Sequence, residues 1–426
     1  MSLFGRKDFA IDDIHAAFSP AQAIDEPIRF VGRIEQIRQC INAIHTKSSF
    51  TAIIGKRGVG KSSVALQMKR IAEGDDSLSK VLGLKKEMPR DRFDNIVHYI
   101  KCDSFISDIS DLVKRVLFGD ESNKSLFSLT KAGPTRLASF KKKAKTSGGF
   151  EFGAKLGAEC EAEEEYDTYV SDDLIQQFRH LIGTIKRDNQ KRKGLLIIID
   201  EFDRIKDKKG FASLVKACSD EFVRFSIVGI ANNIYNLVRD HESIARQLQI
   251  IQIPRMSKSE LIEILHKAEK LIKHRITYME SVAIEIAEKS EGYPYFTHSL
   301  GKEAMLAAYR QGLKVVESEQ LIDVYKQFSE GKLRTSYEDL YQNAVKHSEP
   351  RELLLKLFAE AEEEEIPTQE VYAVLKELGF DNPSQLMQVL TSGEGGTDVL
   401  VKVRDRCYRF SDPVFRVYVR LRNWKH

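Results

Sequence analysis

Residues 55–62 read Gly55-Lys56-Arg57-Gly58-Val59-Gly60-Lys61-Ser62, a complete G-x-x-x-x-G-K-[ST] pattern, and its flanks restrict the fold more than any other feature of the chain. The apolar run Phe50-Thr51-Ala52-Ile53-Ile54 precedes it and predicts a buried strand; the amphipathic stretch Ser62–Ile71 follows and predicts a helix. A glycine-rich turn between a strand and a helix points its backbone N–H groups into one concavity, which suits phosphate oxygens. Gly55, Gly58, Val59, Gly60, Lys61, Ser62 and Ser63 are therefore expected to line such a cradle. Lys61 would reach the β- and γ-phosphates, and the Ser62 hydroxyl would hold Mg²⁺. Gly58 and Gly60 let the chain bend and approach the ligand where a Cβ would interfere.

Five short apolar runs recur with helical segments between them: Phe50–Ile54, Asn95–Lys101, Leu195–Ile199, Phe225–Ile230 and Gln249–Ile253. That alternation predicts an α/β fold, a parallel sheet covered by helices on both faces. From Ser257 to about Glu330 the pattern is helical only, and Ser257 with Glu260 three residues on reads as a capping box. Glu349–His426 has three short helical patterns, an alternating stretch over Val399–Phe410, and a helical Pro413–Leu421, which suggests a winged helix. The expected division is a lead-in over 1–27, a core over 28–255, a helical lid over 256–331 and a winged-helix domain over 332–426. An insertion over about 119–170 carries Lys141-Lys142-Lys143 and Glu163-Glu164-Glu165 and fits no compact element. It reads as a solvated segment or a partner-binding loop.

Hydrolysis needs more than a phosphate cradle. Leu195-Leu196-Ile197-Ile198-Ile199-Asp200-Glu201 places two carboxylates at the carboxyl end of a strand buried on both faces, where open α/β sheets bind ligands. Asp200 is expected in the Mg²⁺ shell, and Glu201 is expected to orient and deprotonate water. Asn232, at the end of the fourth run, could sense a γ-phosphate, although an asparagine there also serves as a turn residue. Arg246, just before the fifth run, could neutralise charge on a neighbouring subunit's nucleotide, or simply lie at the surface; Arg255 is a second candidate.

These motifs resemble the AAA+ and STAND branches of phosphate-loop ATPases, nearest to the prokaryotic initiator-like group. Phe30-Val31-Gly32-Arg33 resembles the opening box of that group, which packs on adenine, so the resemblance implies nucleotide contact by Val31 and Gly32. Ile34 stands where the group usually has Glu. Gly292-Tyr293-Pro294 resembles its G-x-P lid motif, which implies a nucleotide contact by Pro294. Tyr408–Phe415 resembles the segment that closes its winged helix. The resemblance implies a sheet order 5-1-4-3-2, ATP and Mg²⁺ as cofactors, and a molecular switch that assembles with itself or with a protein partner. A DNA-binding ATPase like the replication initiators or transposition regulators is the alternative. Residues 401–426 support it, with eight basic residues against Asp405 and Asp412.

The net charge of +3 is too small to argue nucleic-acid binding for the whole chain. No apolar run approaches the ~20 residues of a membrane span. The first eight residues have no apolar leader, and five scattered cysteines form no C-x-x-C pair, so a cytoplasmic protein without disulfides or a zinc site is expected.

Overall fold

The computed structural model describes residues 9–119, 124–131, 174–230, 244, 246–333, 336–380, 382–391 and 396–422. The chain divides into two compact units. One gathers Met1–Ile24, Lys56–Gly60 and Pro254–His426; the other holds Asp25–Gly55 and Lys61–Ile253. The first unit opens with α1 (Ile11–Ala17), which packs on helices described below. Its seven residues bury only Ile14 and Ala17, too few to set up a helical pattern in the sequence of the lead-in.

The second unit runs α2 (Ile34–His45), β1 (Phe50–Gly55), α3 (Lys61–Ala72), α4 (Ser77–Val81), β2 (Asn95–Lys101), α5 (Ile109–Phe118), α6 (Leu174–Asp188), β3 (Gly194–Asp200), α7 (Phe211–Cys218), β4 (Val223–Gly229) and β5 (Leu248–Ile253). All five strands are parallel, in the order β2-β3-β4-β1-β5. This is the expected 5-1-4-3-2 order read from the other edge. Every residue of β1, β3 and β4 is buried, while edge strand β5 alternates. The central strands need their long apolar runs because helices cover both faces. Helix α3 packs over β1 to β4 on one face. On the other, Phe50, Ile197, Ile199, Phe225 and Ile227 join residues of α5, α6 and α7 in one apolar cluster.

Part of the expected insertion belongs to this cluster. Leu126–Leu129 forms a 3₁₀ turn whose Leu126 and Phe127 are buried in it. Neighbouring polar residues hide the turn in the sequence: Ser125 caps it, accepting from Phe127 N at 3.1 Å. The lysine and glutamate runs, at 141–143 and 163–165, lie outside the described residues.

The first unit resumes with α8 (Lys258–Leu271), β6 (Thr277–Tyr278), α9 (Glu280–Lys289), α10 (Pro294–Arg310), β7 (Val315–Val316) and α11 (Ser318–Ser329). The Ser257 capping box is present: Ser257 Oγ accepts from Glu260 N at 3.3 Å, and Ser257 N donates to Glu260 Oε2 at 2.8 Å. Helix α1 lies on α8 and α10. Then follow α12 (Ser336–Val345), α13 (Glu349–Glu360), β8 (Ile366–Pro367), α14 (Thr368–Glu377), α15 (Pro383–Leu390), β9 (Leu400–Arg404), β10 (Cys407–Phe410) and α16 (Pro413–Arg422). Strands β8, β10 and β9 make a small antiparallel sheet, so three helices precede a hairpin as the pattern suggested. Among the described residues no helix is long and apolar enough to cross a membrane.

Candidate functional site

Parallel strands bring their carboxyl ends to one edge of the sheet, and the register shows which residues meet there. Ile54 pairs with Gly229 across β1 and β4, Ile199 with Ile227 across β3 and β4, and Lys101 with Asp200 across β2 and β3. The end of β1, where the phosphate loop begins, and the end of β3, which carries the acidic couplet, therefore share an edge. They stand two strand spacings apart, about 10 Å.

Within the loop, Gly58 and Gly60 adopt φ of +78° and +95°, in the left-handed region that favours glycine. Nothing lies within 4 Å of where a Gly60 Cβ would stand, so its backbone conformation alone requires glycine. At Gly58 a Cβ would also run into Val414. Val59 is buried. Helix α3 starts at Lys61, so the half-buried Ser62 and Ser63 occupy its first turn, where unbonded N–H groups and the helix dipole favour an anion.

Lys56–Gly60 cluster with the first unit, and their contacts there are specific. Lys56 forms an ion pair with Glu364, and Arg57 Nε lies 3.4 Å from Asp412 Oδ2. Glu364 also accepts from Arg255 Nη2 at 2.9 Å, and these cations hold its carboxyl below the usual range. The Arg255 guanidinium stands 4.8 Å from the centre of the Tyr293 ring. Tyr293 is fully buried beside Pro294, the first residue of α10, and Gly292 has φ +82° with its carbonyl accepting from Met256 N at 2.9 Å. Arg255 is thus occupied inside its own unit. Arg246 is exposed in the turn before β5. Asn232 lies outside the described residues.

In the second unit, Phe30 and Val31 are buried, and Gly32 and Arg33 both adopt φ near +60° as the chain turns into α2. Asp25 ties this segment to α3: its carbonyl accepts from Gln67 Nε2 at 2.8 Å and from Arg70 Nε at 2.8 Å. Glu35, the residue after the unusual Ile34, pairs with Arg38 on its own helix.

The acidic couplet is held more tightly than the sequence suggested. Asp200 is 2% exposed. Its Oδ2 accepts from the Tyr99 hydroxyl at 2.6 Å and its Oδ1 from Glu201 N at 2.7 Å. A hydrogen bond to a charged group contributes about 1.5–3 kcal/mol, so the carboxylate is firmly oriented. Burial, and the negative charge of Asp200 beside it, push the Tyr99 phenol well above its ordinary range, which keeps it a donor. Glu201 adopts φ +54°, and its carboxylate forms ion pairs with Lys101 Nζ at 3.0 Å and with Arg204. Tyr99, Lys101 and Arg204 were missed in the sequence. The pairing of β2 with β3 reveals Tyr99 and Lys101, since β2 reads as an ordinary apolar strand, and Arg204 reaches Glu201 from the turn three residues on.

Residues 29–217 match the family described as an AAA ATPase domain. No curated protein matches the chain. Among solved structures, Cdc6p from Pyrobaculum aerophilum aligns over 95% of this chain and 97% of its own, with a TM-score of 0.43 and 13% identity. The Aeropyrum pernix ORC2 protein aligns over 91% and 92%, with a TM-score of 0.43 and 14% identity. A RuvB variant of Thermotoga maritima aligns over 91% and 96%, with a TM-score of 0.43 and 11% identity. The matched span holds the phosphate loop and the strand that carries the two acids, and over it the chain is similar to AAA ATPase domains.

Proposed function

We propose that the chain is a molecular switch of the AAA+/STAND type, which binds and hydrolyses ATP with Mg²⁺ and whose nucleotide state governs assembly with itself or with a protein partner. The observation that carries this reading is the shared sheet edge of the phosphate loop and the Asp200–Glu201 couplet. Loop N–H groups and Lys61 bind the phosphates, with Ser62 and Ser63 at the helix start. The Ser62 hydroxyl and the Asp200 carboxylate suit Mg²⁺, since both are hard oxygen donors and Asp200 is buried with no ion-pair partner among the described residues. The metal, when bound, neutralises phosphate charge. Glu201 orients and deprotonates water, with Lys101 on one of its carboxylate oxygens and Arg204 on the other. Val31 and Gly32 contact the nucleoside, Asn232 senses the γ-phosphate, and the exposed Arg246 is offered to a neighbour. Switching is supported by Glu364 and Asp412, which bind Lys56 and Arg57 on the phosphate loop itself. A cytoplasmic setting suits the four described cysteines, all free and buried.

Two substitutions test the core of this reading. Lys61→Ala should abolish ATP binding. Glu201→Gln should retain ATP and lower kcat by roughly 10²–10⁴. Full turnover in Glu201→Gln removes Glu201 as the base.

The hairpin favours a second reading, DNA binding. Lys402, Arg404, Arg406 and Arg409 are exposed on β9, β10 and their turn, with Asp405 among them. Such a wing can track phosphates without reading bases. The remaining described cations of this segment are not available: Arg416, Arg420 and Arg422 are turned inward onto Ala359, Ala361, Glu291, Ser329 and Glu338. Of the seven described cations of this segment, four are therefore exposed. The exposed face of α15 offers Ser384, Gln385 and Gln388 and no cation.

A further inference from the structure

Tyr99 and Lys101 lie two residues apart on β2 and so share one face of the strand. Each addresses one acid of the couplet: Tyr99 donates to Asp200 at 2.6 Å, and Lys101 pairs with Glu201 at 3.0 Å. The two acids are nonetheless treated differently. Glu201 receives two cations, whereas Asp200, nearly fully buried, receives only the neutral donors Tyr99 Oη and Glu201 N. Among the described residues no lysine or arginine forms an ion pair with Asp200. A buried carboxylate without a counter-charge is costly, and that cost is relieved when a cation arrives. Each carboxylate oxygen has about two lone-pair positions, so one donor on each leaves one position on each. The carboxylate is thereby fixed in rotation while keeping its capacity to take a hydrated ion.

We propose that Tyr99 is a positioning residue for the divalent cation, orienting Asp200 so that metal and ATP bind together. The proposal rests on the reading of Asp200 as the metal-side carboxylate. Tyr99 acts through Asp200, to which its hydroxyl donates. Removing its hydroxyl leaves the β2 backbone pairing and the ring intact and frees the carboxylate to rotate.

The test measures binding of a fluorescent N-methylanthraniloyl-ATP to the full chain, once with excess Mg²⁺ and once with EDTA. Wild type should bind more tightly with Mg²⁺. Tyr99→Phe should lose roughly tenfold of its affinity in Mg²⁺ and none in EDTA, the EDTA arm also showing that the variant folds. Asp200→Asn should abolish the difference between the two arms, and adding Tyr99→Phe to it should change nothing further. An equal loss of affinity in both arms, an unchanged affinity in Mg²⁺, or additive effects in the double variant would overturn the role of Tyr99. A wild-type chain that binds equally with and without Mg²⁺ would instead overturn the metal-side reading of Asp200, and this proposal with it.

Discussion

His98 and Tyr99 are neighbours on β2, and the strand's alternation sends them into opposite surroundings. His98 shares its face with Ile96 and Ile100, is 4% exposed, and its Nε2 has no partner. Burial pushes its pKa down to about 4. An unfolded histidine titrates near 6.5, so between these values the unfolded chain binds the extra proton and stability falls as pH falls. Wild type should lose about 2 kcal/mol from this residue between pH 7 and pH 5. His98→Leu should lose less by that amount, as read by urea denaturation at the two pH values; parallel losses would show that His98 does not titrate as argued. At this scale the sequence was informative where chemistry is written into adjacent residues, as in Gly58-Val59-Gly60-Lys61-Ser62 and Asp200-Glu201. It was silent on Tyr99, because a tyrosine in an apolar strand carries no local mark of the carboxylate that pairing places beside it.

Elements were legible wherever one local pattern decides them. All five expected strands of the core appear with ends shifted by two residues or fewer, because runs such as Leu195–Ile199 are long enough to be buried on both faces and short enough to exclude a helix. The start of α8 was legible for the same reason, since a capping box is four consecutive residues. Ser257→Ala should remove the bond to Glu260 N and destabilise the first unit by about 1 kcal/mol. Urea unfolding followed by circular dichroism measures this, and a change below a few tenths of a kcal/mol would show that the cap contributes little. The 3₁₀ turn at Leu126–Leu129 and helix α1 were not legible. Each is too short to set up a period, and each is stabilised by surfaces outside itself: α5 and α6 for the turn, α8 and α10 for the helix.

For the molecule as a whole, charge was the least legible property. The C-terminal segment shows a basic excess in sequence, yet three of its arginines serve internal carbonyls and carboxylates. Among its described residues, the cations that remain exposed lie on the hairpin, and this sets the expected behaviour in solution. Light scattering with ATP or ADP should show a nucleotide-dependent change in mass if the switch reading holds, and an invariant monomer would count against it. If DNA is bound, its affinity should fall with salt on a slope of about −0.9 per phosphate contacted. Arg404→Ala with Arg406→Ala should weaken it similarly for every sequence.

The inward arginines have one more implication. Arg420 spans two carbonyls at the end of α13, from Nε to Ala359 O at 2.5 Å and from Nη2 to Ala361 O at 2.7 Å, while its third nitrogen reaches Glu291. A planar fork fits that trio; a single ammonium on a flexible stem does not. Swapping in lysine there would conserve the sign of the charge and lose the joint, so tolerance in this helix is governed by shape rather than by electrical balance.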